Sequence, residues 1–279
     1  MAGKLYLVGT PIGNLGDISP RAAETLAAAD FIAAEDTRVT RKLLNHLGIK
    51  KPLLSYYRHN EAARGDEVLS RILAGETCAL VTDAGMPAVS DPGEELVRLC
   101  AGAGVAVEAV PGPCALVCAL AVSGLPTGRF TFEGFLAMNR KNRRAHLEAL
   151  RGEPRTMLFY EAPHKLPATL EDLAAAFGPE RRVSVCRELT KLHEETRRTT
   201  LGEAAAFYRE NTPRGEFVLV VSGAEKVAAE KSGEDGMDAA LRRVAELSAG
   251  GASFGDAVRQ AAKECGVARN ALYTAALDA

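Results

Sequence analysis

Val81-Thr82-Asp83-Ala84-Gly85-Met86-Pro87-Ala88-Val89-Ser90-Asp91-Pro92-Gly93 is the stretch whose reading decides the fold. Cys78-Ala79-Leu80-Val81 leads into it as a short apolar run of β type. Glu94-Glu95-Leu96-Val97-Arg98-Leu99-Cys100 follows and reads as a helix, with acidic residues in the first turn where the helix dipole favours them. The stretch is therefore a long loop from the carboxyl end of a strand into a helix, the position at which open α/β sheets hold ligands. Gly85 lets backbone approach a ligand closely, and the two prolines stiffen the loop. Asp83, at the strand's end, is suited to accept hydrogen bonds from hydroxyl or ammonium groups.

The same punctuation recurs on the N-terminal side. Leu5–Val8 is a strand followed by the glycine-rich loop Gly9–Gly16, which contains neither G-x-G-x-x-G nor G-K-[ST]. It is a weak phosphate signal but fits backbone lining a cleft. Ser19-Pro20 opens a helix as N-cap and first helical residue. Phe31–Ala34 is a second strand ending in Glu35-Asp36-Thr37-Arg38. These polar residues are placed either to orient a substrate or, at Asp36 or Thr37, to cap the helix Val39–Leu47. Leu53–Tyr56 is a third strand, followed by Tyr57-Arg58-His59-Asn60-Glu61, a polar loop with a base, a cation and an aromatic, and then by a helix around Asp66–Ala74.

On the C-terminal side Ala106–Val110 is a strand, Pro111-Gly112-Pro113 breaks it, and Cys114–Val122 is an apolar helix of small residues. Strand–helix alternation of this kind is the βαβ signature, so residues 1–122 are expected to form an α/β domain with a parallel sheet. The rhythm changes near Ser123-Gly124-Leu125-Pro126. Residues 123–225 offer strands at 130–135, 156–160, 182–188, 196–201 and 216–222, with helices near 140–151, 167–177 and 202–210. Two strand-like runs within Arg182–Leu201 favour a hairpin and a second, mixed α/β domain. Residues 226–279 begin with a polar linker, Lys226–Gly236, and continue as three short helical patterns at 238–248, 253–264 and 267–277, a sequence shape close to helix-turn-helix.

Composition sets the outer bounds. The 279 residues are 47% hydrophobic and 25% charged, ordinary for a globular protein. The apolar runs reach only about ten residues, too short to span a bilayer. The N-terminus enters a strand directly, with no signal-peptide pattern. Six cysteines, at 78, 100, 114, 118, 186 and 265, lie mostly in apolar runs without a C-x-x-C pair. They read as reduced residues of a cytoplasmic protein, with no disulfide and no metal site. A formal net charge of −2 gives no global basic field, although Arg140, Lys141, Arg143, Arg144 and the set from Arg181 to Arg198 form local basic clusters.

Taken together, the motifs resemble the tetrapyrrole-methylase superfamily, and within it the branch that methylates small-subunit ribosomal RNA. The matching stretches are Leu7–Leu15, Ala34–Arg38, Arg58–Glu61, the central loop, Val110–Pro113, Phe159–Lys165, Cys186–Lys191 and Arg214–Phe217, in order along the body, with the tail matching that branch's helical extension. The resemblance implies two α/β domains with a cofactor cleft between them, a small C-terminal helical extension and a homodimer. It further implies S-adenosylmethionine as cofactor, a cytidine 2′-hydroxyl of ribosomal RNA as substrate, and no metal or membrane. Carried onto this chain, its cofactor contacts are Pro11, Ile12, Asp83, Gly85, Met86, Cys114, Ala115, Tyr160, Glu161, Leu189, Phe217 and Val218. Ribose hydroxyls are poor nucleophiles, so a base or cation is expected beside the methyl; the candidates are Asp36, His59, Glu161, Glu188 and Lys191. Two rivals are weighed against this reading: C-methylation of a tetrapyrrole, disfavoured by the polar Glu35–Arg38 and Arg58–Glu61 loops, and a non-catalytic RNA-binding assembly factor.

Overall fold

A computed structural model of the chain describes residues 3–224 and 235–277. The chain divides into two units, Met1–Ala224 and Glu225–Ala279. The fold is α/β, with two five-stranded sheets in the first unit and helices in the second.

The first sheet contains β1 (Lys4–Val8), β2 (Phe31–Ala34), β3 (Leu53–Ser55), β4 (Cys78–Val81) and β5 (Ala106–Val110), in the order β3-β2-β4-β1-β5. All its pairings are parallel. Helices α1 (Pro20–Ala28), α2 (Thr37–His46), α3 (Glu61–Leu73) and α4 (Glu94–Gly102) follow its first four strands. Alternate residues of each central strand face opposite helical layers. Leu5, Phe31, Cys78 and Leu80 join Val68, Ile72, Leu96 and Cys100 on one face. Val8, Ile32, Ala79 and Val81 join Ala22, Leu26 and Leu44 on the other. Burial on both faces is why β2 and β4 are unbroken apolar tetrads rather than alternating ones.

This topology brings the loops after β1 and β4 side by side at the carboxyl edge. Thr10 and Gly85 exchange backbone hydrogen bonds of 2.9 and 3.1 Å. Gly9 and Gly112 meet there as well, and a Cβ on Gly112 would lie 2.8 Å from Gly9. Only hydrogen fits between these two chains.

The second sheet contains β6 (Phe130–Phe135), β7 (Thr156–Glu161), β8 (Arg182–Arg187), β9 (Glu195–Thr200) and β10 (Phe217–Val221), in the order β6-β7-β10-β8-β9. Only β6 and β7 pair in parallel; β8 and β9 form the expected hairpin, so the sheet is mixed. One face, with Met157, Phe159, Val185 and Leu219, is covered by α7 (Leu166–Phe177) and α8 (Leu201–Glu210). The other face, with Leu158, Cys186, Val218 and Val220, is covered by Leu116, Ala119 and Leu120 of α5 (Ala115–Val122). Helix α5 thus follows the last strand of the first sheet yet packs on the second. Ser184 Oγ and Arg198 Nε donate to the Ser123 carbonyl just beyond it, at 2.7 and 3.2 Å.

In the second unit Ala240, Val244, Ala257, Val258, Ala261, Ala262 and Leu272 form a separate core among three helices, numbered here after α6 (Arg140–Leu150) and α8 as α9 (Asp235–Ala249), α10 (Phe254–Cys265) and α11 (Arg269–Leu277). Ser253 caps α10 by accepting from the Asp256 N–H, and Gly266, at φ 66°, ends it in the left-handed conformation. Most of the expected linker Lys226–Gly236 lies outside the described residues.

Candidate functional site

A cleft of about 500 Å³ opens where the carboxyl-end loops of the first sheet face the second sheet and the start of α5. Its first wall is acidic: Glu35 directly follows β2, and Asp83 and Asp91 lie in the loop after β4. The loops lock one another. The Asp36 N–H donates to Asp83 Oδ1 at 3.1 Å, and the Asp83 N–H donates to Glu35 Oε2 at 3.3 Å. Burial raises the Glu35 and Asp83 pKa values above the usual carboxylate range. Burial, then the nearby Glu35 charge, pushes Asp91 up to about 6, with Arg58 pulling the other way. Arg58 is anchored by a 3.0 Å bond from its guanidinium to the Ser90 carbonyl.

The loop that carries these acids is held in an unusual shape. Ala88 and Ser90 have φ of 68° without being glycine. The Ala88 N–H reaches the Pro92 carbonyl at 3.1 Å, and the Gly93 N–H reaches Glu61 Oε1 at the same distance. Such backbone persists only where the surroundings over-determine it, and it concentrates at functional loops.

The second wall is mostly apolar. Cys114 and Ala115 open α5, Tyr160 ends β7 beside Ala162-Pro163, and Leu189, Phe217 and Val218 complete the surface. The Leu116 N–H donates to the Tyr160 hydroxyl at 3.1 Å, which ties α5 to β7. Phe132 and Phe135 stand edge-on to the Tyr160 ring at 4.9 and 5.6 Å. The Cys114 side chain does not cap α5, and of the first-turn N–H groups that of Leu116 is taken by the Tyr160 hydroxyl.

Most of the residues that sequence reasoning assigns to the cofactor meet in this one cleft. Ile12, Asp83, Gly85 and Met86 come from the first half; Cys114, Ala115, Tyr160, Glu161, Leu189, Phe217 and Val218 come from α5 and the second sheet. Pro11 does not line it; it faces a smaller cavity behind Asp83.

The catalytic candidates scatter more widely. Asp36 is the N-cap of α2, its carboxylate accepts from Arg38, and these bonds hold its pKa near about 2. Its side chain is outside the cleft lining, and only its backbone reaches Asp83. His59 is exposed, with its ring 6.4 Å from Tyr57, and is also outside the lining. Glu161 is at the wall but only 4% exposed, and its two oxygens accept from Thr169 Oγ1 and the Ala162 N–H. Lys191 Nζ bonds Glu188 Oε1 at 2.9 Å and Glu216 Oε2 at 3.1 Å, bracing the rim, with Glu216 alone of the three in the lining.

Glu35, read with its neighbours as placed to orient a substrate, lines the cleft, and Asp91, Glu216 and Phe135 line it without having been assigned a role. The signal for Asp91 was present, since it belongs to the same loop as Asp83 and precedes a proline and a glycine. Among the described residues no group of three or more His, Cys, Asp or Glu is placed to hold a metal ion.

A two-sheet α/β body with an acid-and-apolar cleft at the carboxyl edge of its parallel strands defines a small-molecule-binding enzyme class. The model of the Tetrapyrrole (Corrin/Porphyrin) Methylases matches residues 4–205, and the chain belongs to that family. Its relatives include Ribosomal RNA small subunit methyltransferase I of Synechocystis sp., 49% identical over 99% of this chain and 98% of that one. The Escherichia coli O157:H7 protein of the same name is 46% identical over 99% of this chain and 95% of its own. The Thermotoga maritima protein of that name is 49% identical, with 80% of this chain matching 100% of its length. Among solved structures, uroporphyrin-III C-methyltransferase from Thermus thermophilus, complexed with S-adenyl homocysteine, shares the fold at a TM-score of 0.55 and 21% identity, over 78% of this chain and 97% of that one.

Proposed function

We propose that this chain transfers a methyl group from S-adenosylmethionine to the ribose 2′-oxygen of a cytidine in small-subunit ribosomal RNA. The observation that carries this reading is near-full-length identity of almost one half to proteins named Ribosomal RNA small subunit methyltransferase I. Relatives so named favour neither rival, the tetrapyrrole C-methylase or the non-catalytic assembly factor.

The cleft suits the cofactor. The molecule carries a sulfonium and an ammonium, and the first wall offers half-buried carboxylates from Glu35 and Asp91. Its carboxylate matches the uncapped N-terminus of α5, where the helix dipole favours an anion. Its adenine and methionine stem match the apolar surface of Met86, Leu189, Phe217 and Val218, and the close backbone at Gly85. S-adenosylmethionine supplies an already activated methyl, so the protein's task is alignment and removal of one proton.

We assign that proton to Asp83. The Asp36 amide fixes one oxygen of its carboxylate, and its raised pKa makes it a better base than an ordinary aspartate. Asp36 and Glu161 are positioning residues here: Asp36 aims Asp83 through its backbone, and Glu161 holds the turn after β7. Lys191 braces the rim through Glu188 and Glu216. A homodimer and a cytoplasmic location belong to the same reading by family resemblance, and no helix of the described residues is long and apolar enough to cross a membrane.

The test is mass spectrometry of small-subunit ribosomal RNA from cells with and without this protein, paired with transfer of labelled methyl to undermethylated subunits in vitro. Loss of one 2′-O-methylcytidine and its restoration by the purified protein are the expected outcome. An unchanged nucleoside profile with no transfer refutes the assignment.

A further inference from the structure

The basic run that opens α6 has no part in the cleft lining. Arg140, Lys141, Arg143 and Arg144 fill four of the first five positions of the helix, and its first turn holds no acidic residue. Cations at this end oppose the helix dipole, and Arg140 and Arg144, one turn apart, repel each other. Arg140, Lys141 and Arg144 are exposed, with no hydrogen-bond or ion-pair partner among the described residues. Only Arg143 turns inward, where it meets Asp172 and donates to Thr169 Oγ1 at 2.8 Å. The arrangement destabilises the start of the helix, and no acid among the described residues offsets it at the three exposed cations.

The run stands at the rim of the cleft. Thr169, which accepts from Arg143, itself donates to Glu161 in the cleft wall, so a short chain of bonds joins α6 to that wall. Phe135 lines the cleft, is 57% exposed, and ends β6 five residues before Arg140. Between them Met138 is 78% exposed, and Lys165 Nζ rests on its sulfur. Lys165 lies two residues beyond Pro163 of the lining and has no acidic partner among the described residues. Exposed apolar groups and unpaired cations therefore succeed one another outward from the second wall.

We propose that this rim is the track of the RNA strand that carries the methylated ribose, with its phosphates on Arg140, Lys141, Arg144 and Lys165. The inference rests on the function proposed above and deepens it by naming where the substrate lies. A polyanion matches cations that the chain leaves unpaired, and unstacked bases match the exposed Phe135 and Met138 beside them. The first wall is unsuited to the phosphates, because Glu35, Asp83 and Asp91 give that side of the opening the wrong charge. With a formal net charge of −2 there is no global attraction, so a local strip has to supply it. An acidic protein surface would match the cations but would place no ribose in the cleft they border.

The test pairs Arg140→Ala with Arg144→Ala in the full chain and measures binding to small ribosomal subunits lacking the methyl group across a salt series. Affinity is expected to fall roughly 10- to 30-fold at about 0.1 M salt, and the slope of log affinity against log salt to shrink by about 1.4, about 0.7 for each lost contact. Lysine at both positions keeps the charges and is expected to stay within about threefold of the parent. The double-alanine variant should keep its affinity for S-adenosylmethionine and its kcat at saturating subunits, and its melting temperature should be unchanged or raised. Lys50→Ala with Lys51→Ala removes the same charge ahead of β3, at the edge of the first sheet away from the cleft, and is expected to change affinity by less than about twofold. A photoreactive phenylalanine analogue placed at Met138 is expected to crosslink to RNA.

A double-alanine variant with parental affinity and salt slope, in a protein that does transfer methyl, overturns the track and leaves the function standing. An equal loss from the Lys50 and Lys51 pair reduces the effect to net charge and also overturns it, as do crosslinks confined to ribosomal proteins. A parent protein that transfers no methyl to the subunits refutes the function, and the track with it, before any variant is read.

Discussion

The two walls of the cleft are built on opposite plans. The first is a row of loops at the edge of a parallel sheet, with Glu35, Asp83 and Asp91 converging from separate turns. The second is the surface of a mixed sheet and one helix end, with Tyr160, Leu189, Phe217 and Val218 in place of charges. Loops place charges because each strand end delivers one side chain to a common edge. A sheet face places flat apolar area because its residues are already rigid. Under the function proposed above, the difference is a division of labour: the first wall recognises charge and takes the proton, and the second fixes shape.

Breaking that division at Asp83 is expected to have the largest effect. Asp83→Asn keeps the size and the bond from the Asp36 amide but removes the base, so turnover should fall by roughly 10²- to 10⁴-fold. Cofactor affinity, measured by calorimetry, should change far less. Equal losses in both quantities would return Asp83 to the role of a plain cofactor contact.

Asp91→Asn probes the charge half of the comparison. Loss of a hydrogen bond to a cation should weaken cofactor binding by about 10- to 100-fold at pH 8. The parent's affinity should weaken as pH falls through about 6, where Asp91 gains its proton, and the variant's should stay flat. Stability should move the other way. A carboxyl whose pKa is raised by folding favours the fold when protonated; that contribution is full below 3.8 and lost as pH rises through about 6. Asp91→Asn should therefore raise the melting temperature of the free protein at pH 8 and leave it unchanged near pH 3.5.

Phe135→Ala tests the shape half. The ring is 57% exposed and edge-on to Tyr160, so its removal should spare the fold. Cofactor affinity should drop by about 3- to 10-fold, with no pH dependence, because aromatic contact is worth roughly 0.5–1.5 kcal/mol. A pH-dependent loss would mean that the walls are electrically coupled after all.

The smallest effect on cofactor binding is expected from removing residues 225–279. The cleft lies wholly within the first unit, and a Thermotoga maritima relative of the same name is matched over its full length by 80% of this chain. If the tail is an RNA-binding module, RNA affinity should fall and its salt slope should flatten. Of the tail's basic residues, Arg243 and Arg259 are engaged with acidic neighbours, and Arg242 donates to the Asp238 carbonyl. Among the described residues Lys263 and Arg269 are therefore the candidate phosphate contacts to mutate first. A drop in melting temperature with RNA affinity unchanged would make the tail a cap.

Much of this fold was legible because its central strands are buried on both faces. Phe31–Ala34, Cys78–Val81 and Phe217–Val221 are apolar throughout and cannot alternate. Helix α3 was harder to bound. It begins at Glu61, ahead of the expected Asp66, and runs through Gly65, which packs against Leu99 where a Cβ would come within 2.9 Å, a contact that no local pattern announces. In the site, glycine and proline marked the loops well, so Gly85, Met86 and Cys114 were found where backbone shape matters. The acidic wall was not legible as a set. Glu35 and Asp83 are 48 residues apart, and Asp36, read as either substrate contact or cap, is a cap whose backbone aims its neighbour. Apolarity all round α5 told neither which face would be buried, since Val117 stays 53% exposed while Leu116, Ala119 and Leu120 are covered, nor which sheet would cover it.

That helix has a consequence for how the body holds together. Chain continuity gives α5 to the first sheet, while its packing gives it to the second. Cutting the chain before Ala115 or after Val122 would separate a strand from its own crossover or strip the cover from Leu158, Val218 and Val220. The second sheet cannot complete its surface from its own segment, whereas both cores of the first draw only on residues between Leu5 and Val110. The dependence runs one way: a helix that the first segment carries supplies both the cover of the second sheet and, at Cys114 and Ala115, part of the wall of the cleft.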